Sequence, residues 1–192
     1  MTPFREQARF LATWGGLLCV LAQAAACQSP NHRSLMGTEQ LAMAVNEEAE
    51  FAVGVVPTMA PPLRVGAVLA FRLSSSADGY GHLYLMATSG EVTRLVENLP
   101  LAAGAQTDYP RPDDGIQIQV SAPAGVDRLV LLVTRRPFAG FADNADNQGQ
   151  LAISPMELTA TAEDFLRKLN DATANLPTSE WAVTEARVQV IE

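Results

Sequence analysis

Few residues of this chain have side chains suited to catalysis or metal binding. The 192 residues include two cysteines, Cys19 and Cys27, and two histidines, His32 and His82. Two cysteines are too few for a disulfide-stapled scaffold or a four-ligand zinc site, and two histidines leave little material for histidine-based catalysis. The sequence also lacks Gly-x-Ser-x-Gly, Ser-x-x-Lys and His-Glu-x-x-His motifs. We therefore predict a protein that is not an enzyme and that uses no cofactor.

One group of polar and aromatic side chains remains as a candidate site. Tyr80, His82 and Tyr84 alternate along a predicted strand, so all three side chains share one face. A catalytic or metal-binding His82 would need partner ligands, and we expect a structural or surface histidine instead. The tyrosines, together with Tyr109 and Trp181, fit either an aromatic surface for a partner or glycan or a place in the core. We take Tyr80, His82 and Tyr84 as the candidate partner or ligand surface.

An acidic loop is the other feature that invites a ligand. Residues 143–149 read DNADNQG, a cluster of oxygen-bearing side chains that ends in glycine. The ligand series of an EF-hand fails at Ala145, and no glutamate stands where a bidentate ligand is required. We predict a solvated loop and no metal site.

Composition favours one folded domain and argues against nucleic-acid binding. The length fits a single domain with extensions. Thirteen Lys and Arg residues stand against 21 Asp and Glu, a formal net charge of −8, and Lys168 is the single lysine. Phosphate neutralisation needs a concentrated basic face, so nucleic acid is excluded as a partner.

The first 26 residues have the organisation of a secretory signal peptide. Arg5 and Arg9 form a basic leader, residues 10–22 carry no charge, and three alanines occupy residues 24–26. The uncharged run is shorter than the roughly 20 apolar residues that a membrane-spanning helix needs. We predict cleavage after Ala26.

Cys27 follows these small residues directly, an arrangement that resembles the lipobox of bacterial lipoproteins. The resemblance implies that Cys27 receives lipid chains, becomes the first residue and anchors the protein to a membrane. Ala24 stands where that family usually has leucine, and the alternative is ordinary cleavage that leaves a soluble periplasmic protein. Gln28 after the cysteine resembles the pattern of outer-membrane sorting. We expect the protein in the cell envelope, anchored at the outer membrane and facing the periplasm.

The rest of the chain predicts a mainly β (α+β) fold. Residues 27–45 are polar and form a predicted flexible tether, and residues 46–192 form a single domain. The expected architecture is an antiparallel β-sandwich or open barrel of about seven strands with one C-terminal helix packed on it. A meander is expected where Asp78-Gly79 would turn the chain between two strands. Apolar periodicity predicts strands at residues 51–56, 66–73, 80–86, 91–96, 115–120, 129–133 and 188–190, and a helix at 159–176.

The region after Gly66 resembles a bacterial family, the domain of unknown function numbered 4384. The matching landmarks are Gly66, Asp78-Gly79-Tyr80, Leu83-Tyr84-Leu85, Gly90, Val92, Leu95 and Asn98, followed by Ala103-Gly104, Tyr109-Pro110, Pro123-Ala124-Gly125 and Arg136-Pro137. The similarity spans most of residues 50–192. It implies a β-rich envelope domain of the kind found in lipoproteins and beside peptidase or kinase modules. It implies no activity.

These observations lead to one functional hypothesis and two alternatives. We expect a non-catalytic accessory or scaffold in a cell-envelope assembly, for example a secretion apparatus, that contacts an envelope protein. One alternative is a small-ligand or glycan-binding domain that uses its aromatic face. The other is an unrecognised hydrolase centred on His82.

Overall fold

The computed structural model describes residues 46–139, 149–158 and 161–192. Strands account for 46% of these residues, and one α-helix is present among them. The strands are β1 (Val53–Pro57), β2 (Leu63–Arg64), β3 (Val68–Leu69), β4 (Phe71–Ser75), β5 (Gly79–Met86), β6 (Val92–Leu101), β7 (Gln106–Tyr109), β8 (Ile118–Gln119), β9 (Gly125–Thr134), β10 (Met156–Leu158) and β11 (Trp181–Ile191). The helix, α1, spans Ala162–Ala174.

The strands form two main sheets that do not close into a barrel. The larger sheet has six strands in the order β10-β6-β5-β9-β11-β2, and the smaller has three in the order β1-β4-β7. A third, two-stranded pairing joins β3 to β8. All neighbours are antiparallel except β2, which runs parallel to β11.

The main core lies between the six-stranded and three-stranded sheets. Strand β9 is central, and residues 129–133 are fully buried. Leu129, Leu131 and Val133 face the smaller sheet, whereas Val130 and Leu132 face the other way. Burial on both faces explains why this segment is apolar at every position, without the alternation of a half-exposed strand.

The opposite face of the larger sheet is covered by α1. The Thr161 hydroxyl caps the helix by accepting a hydrogen bond from the Asp164 amide at 3.2 Å. Phe165, Leu166 and Leu169 recur at helical spacing and are at most 1% exposed. The structure is therefore a β-sandwich with a helix on its outer face, which confirms the predicted fold class.

Three short strands, β2, β7 and β10, were not predicted, and one predicted strand divides into β3 and β4. The alternation of apolar and polar residues is weak in these segments, because strands of two to four residues contain too few positions to show it. In the segment 115–120, only Ile118 and Gln119 pair with another strand. The segment nevertheless alternates as a half-exposed strand should, since Ile118 and Val120 are buried and Gln117 and Gln119 are exposed.

The predicted meander through Asp78-Gly79 is wrong. Strand β4 pairs with β1 and β7, and β5 pairs with β6 and β9, so residues 76–78 cross from one sheet to the other. Gly79 does not have a positive φ. A Cβ at Gly79 would lie 2.7 Å from the Thr134 carbonyl oxygen, so close packing against β9, and not a turn, requires glycine here.

Candidate functional site

The largest group of buried polar side chains lies where β5 pairs with β6. The pairing register shifts twice here: Gly81 is opposite Leu99, Leu83 is opposite Val96, and Tyr84 is opposite Arg94. Strand β6 thus holds two extra residues, which is a pair of β-bulges. The bulges bring Glu97 and Asn98 beside the side chains that β5 directs toward the helix-covered face.

His82 is fully buried at this point, and both of its ring nitrogens are engaged. The backbone amide of Asn98 donates to Nδ1 at 3.3 Å, and Nε2 lies 3.1 Å from the Thr134 hydroxyl. A backbone amide can only donate, so Nδ1 must be unprotonated and Nε2 carries the hydrogen. The Thr134 hydroxyl in turn donates to the Arg136 carbonyl at 2.6 Å. Burial lowers the pKa of His82 to about 3, so the ring is neutral at physiological pH.

Asn98 joins this strand to two later segments of the chain. Its backbone has φ 55°, the left-handed conformation that asparagine tolerates better than most residues. Its side-chain oxygen accepts from the Phe138 amide at 2.8 Å. Its side-chain nitrogen donates to the carbonyls of Phe138 at 2.8 Å and Gln150 at 3.1 Å. One amide group therefore holds both segments against β6.

A buried ion pair completes the group. The Tyr84 hydroxyl donates to Oε1 of Glu97 at 2.9 Å, and Nη1 of Arg94 lies 3.3 Å from Oε2. Arg94 also donates to the Ser154 carbonyl at 3.4 Å. Burial, followed by the nearby Glu97 charge, raises the pKa of Tyr84 well above its usual range. Tyr84 is therefore a hydrogen-bond donor at any physiological pH.

The predicted surface of Tyr80, His82 and Tyr84 does not exist as an exposed face. His82 and Tyr84 are 0% exposed, and Tyr80 is half-buried. The Phe165 ring of α1 lies 4.9 Å from the Tyr84 ring, and the Phe138 ring packs edge-on against His82 at 5.5 Å. The sequence places the three side chains on one face correctly, but it does not reveal that a helix and a following segment cover that face.

The core interpretation is confirmed for the other two aromatic residues. Tyr109 is fully buried, and its hydroxyl donates to the carbonyl oxygens of Leu95 and Ile153, the latter at 2.7 Å. Trp181 is 8% exposed and packs with the residues beneath α1.

An open depression of about 490 Å³ lies beside the His82 group. Thr134 and Phe138, which contact His82, form part of its wall. An ion pair between Arg136 and Glu180, 3.2 Å apart, lies at its rim. The lining residues are Thr134, Arg136, Pro137, Phe138, Leu176, Pro177 and Glu180. No sequence motif marks this depression, because its walls come from two segments about 40 residues apart.

The chemistry available at the buried group is limited by its internal bonds. Both His82 nitrogens, the Glu97 carboxylate and the Asn98 amide are occupied by protein atoms. Within residues 46–139, 149–158 and 161–192, no three His, Cys, Asp or Glu residues are arranged to hold a metal ion. The same part of the chain contains no helix long and apolar enough to cross a bilayer. Cys27, and all of the acidic loop except Gly149, lie outside the described residues.

Comparison with known families gives a match over part of the chain. Residues 62–137 match the model of a domain of unknown function, DUF4384. The match runs from the residue before β2 to the segment after β9, and it includes His82, Asn98 and Thr134. It confirms the family resemblance, although over a shorter span than residues 50–192. No curated protein matches the chain.

Proposed function

We propose that this chain, which carries a DUF4384-like domain over residues 62–137, is a non-catalytic accessory or scaffold protein of the bacterial cell envelope. In this role it works through protein contacts. The observation that carries the proposal is the burial of the polar group: His82, Tyr84 and Glu97, the side chains best suited to chemistry, are hydrogen-bonded to protein atoms and covered.

A general acid or base must reach its substrate and titrate near the working pH. His82 meets neither requirement, because its ring is 0% exposed and its pKa is lowered to about 3 by burial. Glu97 is held between Tyr84 and Arg94. The buried hydrogen bonds join β5 and β6 to later segments of the chain, with only Nε of Arg94 in this group left without a hydrogen-bond partner. Such bonds make a structure rigid, and rigidity suits a protein that presents a fixed surface.

The proposed anchor is lipid on Cys27, at the periplasmic face of the outer membrane. About 18 residues separate Cys27 from Asn46, and such a chain reaches at most about 60 Å when fully extended. The Asn46 side chain donates to the carbonyl oxygens of Thr178 at 2.6 Å and Trp181 at 2.7 Å. These bonds support an arrangement in which the tether enters the domain at this end.

The same end of the domain holds the depression. Thr178 lies between Pro177 and Glu180, and both of these residues line it. We therefore take the depression as the contact site for an envelope partner, close to where the tether joins. Its rim offers an exposed cation, since the Arg136 side chain is 80% exposed.

Two experiments test the proposal. Cys27→Ser should move the full-length protein from the membrane fraction to the soluble fraction, and an unchanged distribution would rule out the lipid anchor. For the contact, Arg136→Glu should abolish crosslinking to envelope proteins in cells. Arg167→Glu is the matched control, because Arg167 is also an exposed arginine paired with an acidic residue. Equal crosslinking in both variants would argue against the depression as the contact site.

A second candidate function is binding of a small ligand or glycan in the depression, favoured by its concave shape and its Pro137, Phe138 and Pro177 walls. Chemical-shift changes confined to these residues on titration with soluble oligosaccharides would support it. An envelope hydrolase activity that is lost in His82→Ala, with the variant still folded, would contradict the non-catalytic proposal.

A further inference from the structure

The chain joins the folded domain beside the depression. The Asn46 side chain donates to the carbonyl oxygens of Thr178 at 2.6 Å and Trp181 at 2.7 Å. These bonds hold Asn46 against the segment whose residues Pro177 and Glu180 line the depression. The Cα atom of the preceding residue is about 3.8 Å from that of Asn46. The tether therefore leaves the domain next to this site.

The five residues before Asn46 form an apolar run in a tether that is otherwise mostly polar. Residues 41–45 read LAMAV, so three large side chains alternate with two alanines. A period of two matches an extended segment, in which alternate side chains point to one face. In such a segment Leu41, Met43 and Val45 share one face, and the alanines occupy the other.

The depression presents apolar surface that the described residues leave partly uncovered. Phe138 and Leu176 are half-buried, and Pro137 and Pro177 are exposed. The volume of about 490 Å³ lies in the range of sites that enclose ligands. Five extended residues span about 17 Å, so residues 41–45 can reach these walls from their attachment without help from the rest of the tether.

We propose that residues 41–45 bind in the depression of the same molecule as an extended segment, with Leu41, Met43 and Val45 facing its apolar walls. Attachment at Asn46 favours this occupant, because a segment tethered beside a site is present there at a millimolar effective concentration. A contact too weak to form between separate molecules is then well populated. Binding also removes three large apolar side chains from water.

The inference goes beyond the proposed function, because it concerns the protein without a partner. A partner that contacts the depression has to displace the segment, and displacement frees residues 41–45 to lengthen the tether. The two claims fail separately, since a partner can bind a depression that the segment never occupies. Measurements on the isolated protein therefore test the segment alone.

Disulfide trapping tests which face of the segment meets the depression. The full-length chain with Cys19→Ser and Cys27→Ser has no native thiol, and Leu176→Cys places one in the wall. Met43→Cys should then form an internal disulfide about tenfold faster than Ala44→Cys, because the bond needs the two Cβ atoms about 4 Å apart. Ala44→Cys is the matched control: it lies one residue closer to the attachment, so random collision would give it an equal or faster rate.

Amide chemical shifts test the contact with the walls unchanged. In the thiol-free chain, Met43→Ser should shift the ¹H–¹⁵N signals of Phe138 and Leu176, whereas Ala44→Ser should leave them in place. Equal trapping at positions 43 and 44, disulfide-linked dimers in place of internal bonds, or unmoved signals in Met43→Ser would overturn the proposal.

Discussion

The backbone amide of Asn98 donates a hydrogen bond to Nδ1 of His82 across 3.3 Å. The bond lies between the larger sheet and the residues that cover it. This bond can form only while the imidazole is neutral, because a protonated ring has no acceptor nitrogen. Protonation of His82 would therefore break a bond to the strand that carries the bulges, in addition to burying a charge.

The first prediction is a loss of stability in mild acid. The pKa of His82 is lowered by burial to about 3 in the folded protein, against about 6.5 in an unfolded chain. The unfolded state thus binds a proton that the folded state does not. The contribution is fully present above pH 6.5, and it is lost as the pH falls toward 3, at about 1.4 kcal/mol per pH unit.

Urea unfolding between pH 7 and pH 5, where few carboxylates titrate, measures this slope. His82→Gln should remove most of it. The ¹⁵N shift of Nδ1 provides a direct check, because it should stay at the value of an unprotonated nitrogen throughout. A His82 ring that titrates near pH 6.5 in the folded protein would contradict the prediction.

The second prediction concerns Asn98, which combines a left-handed backbone with three side-chain hydrogen bonds. Asn98→Gly keeps the backbone conformation accessible and removes only the bonds to Phe138 and Gln150, with an expected cost of about 1–3 kcal/mol. Asn98→Ala should cost about 1 kcal/mol more, because alanine is strained at φ 55°. Equal free energies of unfolding for the two variants would show that the conformation is not strained.

The third prediction concerns the buried ion pair. Glu97→Gln should lower the free energy of unfolding by about 3–5 kcal/mol, because it leaves the Arg94 charge buried without its carboxylate. The double variant Arg94→Met/Glu97→Met should recover only part of the loss, since it removes the uncompensated charge but leaves the buried Tyr84 hydroxyl without its acceptor. Chemical denaturation of the single and double variants decides this, and additive losses would show that the two side chains act independently.

The fourth prediction concerns the attachment of α1. Phe165 is 1% exposed and lies against the Tyr84 ring, so Phe165→Ala should cost about 3–5 kcal/mol through a cavity beneath the helix. Arg167→Ala is the control on the same helix, because Arg167 is exposed and its ion pair is worth little. Thermal unfolding followed by circular dichroism gives the comparison, and similar melting temperatures for the two variants would mean that the helix does not stabilise the sheet.

The sequence is most informative where burial is one-sided or complete. Residues 129–133 are apolar without interruption, the pattern predicts a strand there, and all five residues are fully buried in it. The helix was predicted within a few residues because Phe165, Leu166 and Leu169 recur at its period. Both signals come from residues that are close in sequence, and apolar periodicity is measured over such short windows.

The sequence is less informative where long-range packing decides the outcome. Most of β11 was missed because Glu185 and Arg187 interrupt the apolar pattern on one of its faces, and the Arg128 that pairs with Glu185 lies 57 residues away. The same limitation explains the candidate surface: His82 and Tyr84 were placed on one strand face, but the residues that cover them, Phe138 and Phe165, follow much later in the chain. Positive φ at Asn98 has no reliable pattern in sequence, since any asparagine could adopt it.

The side chain of Asn98 holds both Phe138 and Gln150, so the two ends of the intervening stretch are fixed by a single amide group. When the two ends of a connection are fixed, each doubling of its length costs only about 0.6 kcal/mol of closure entropy. The chain between these two residues is therefore a place where related proteins can differ in length without disturbing the sheet. It is also a practical position at which to insert an epitope or a fluorescent reporter.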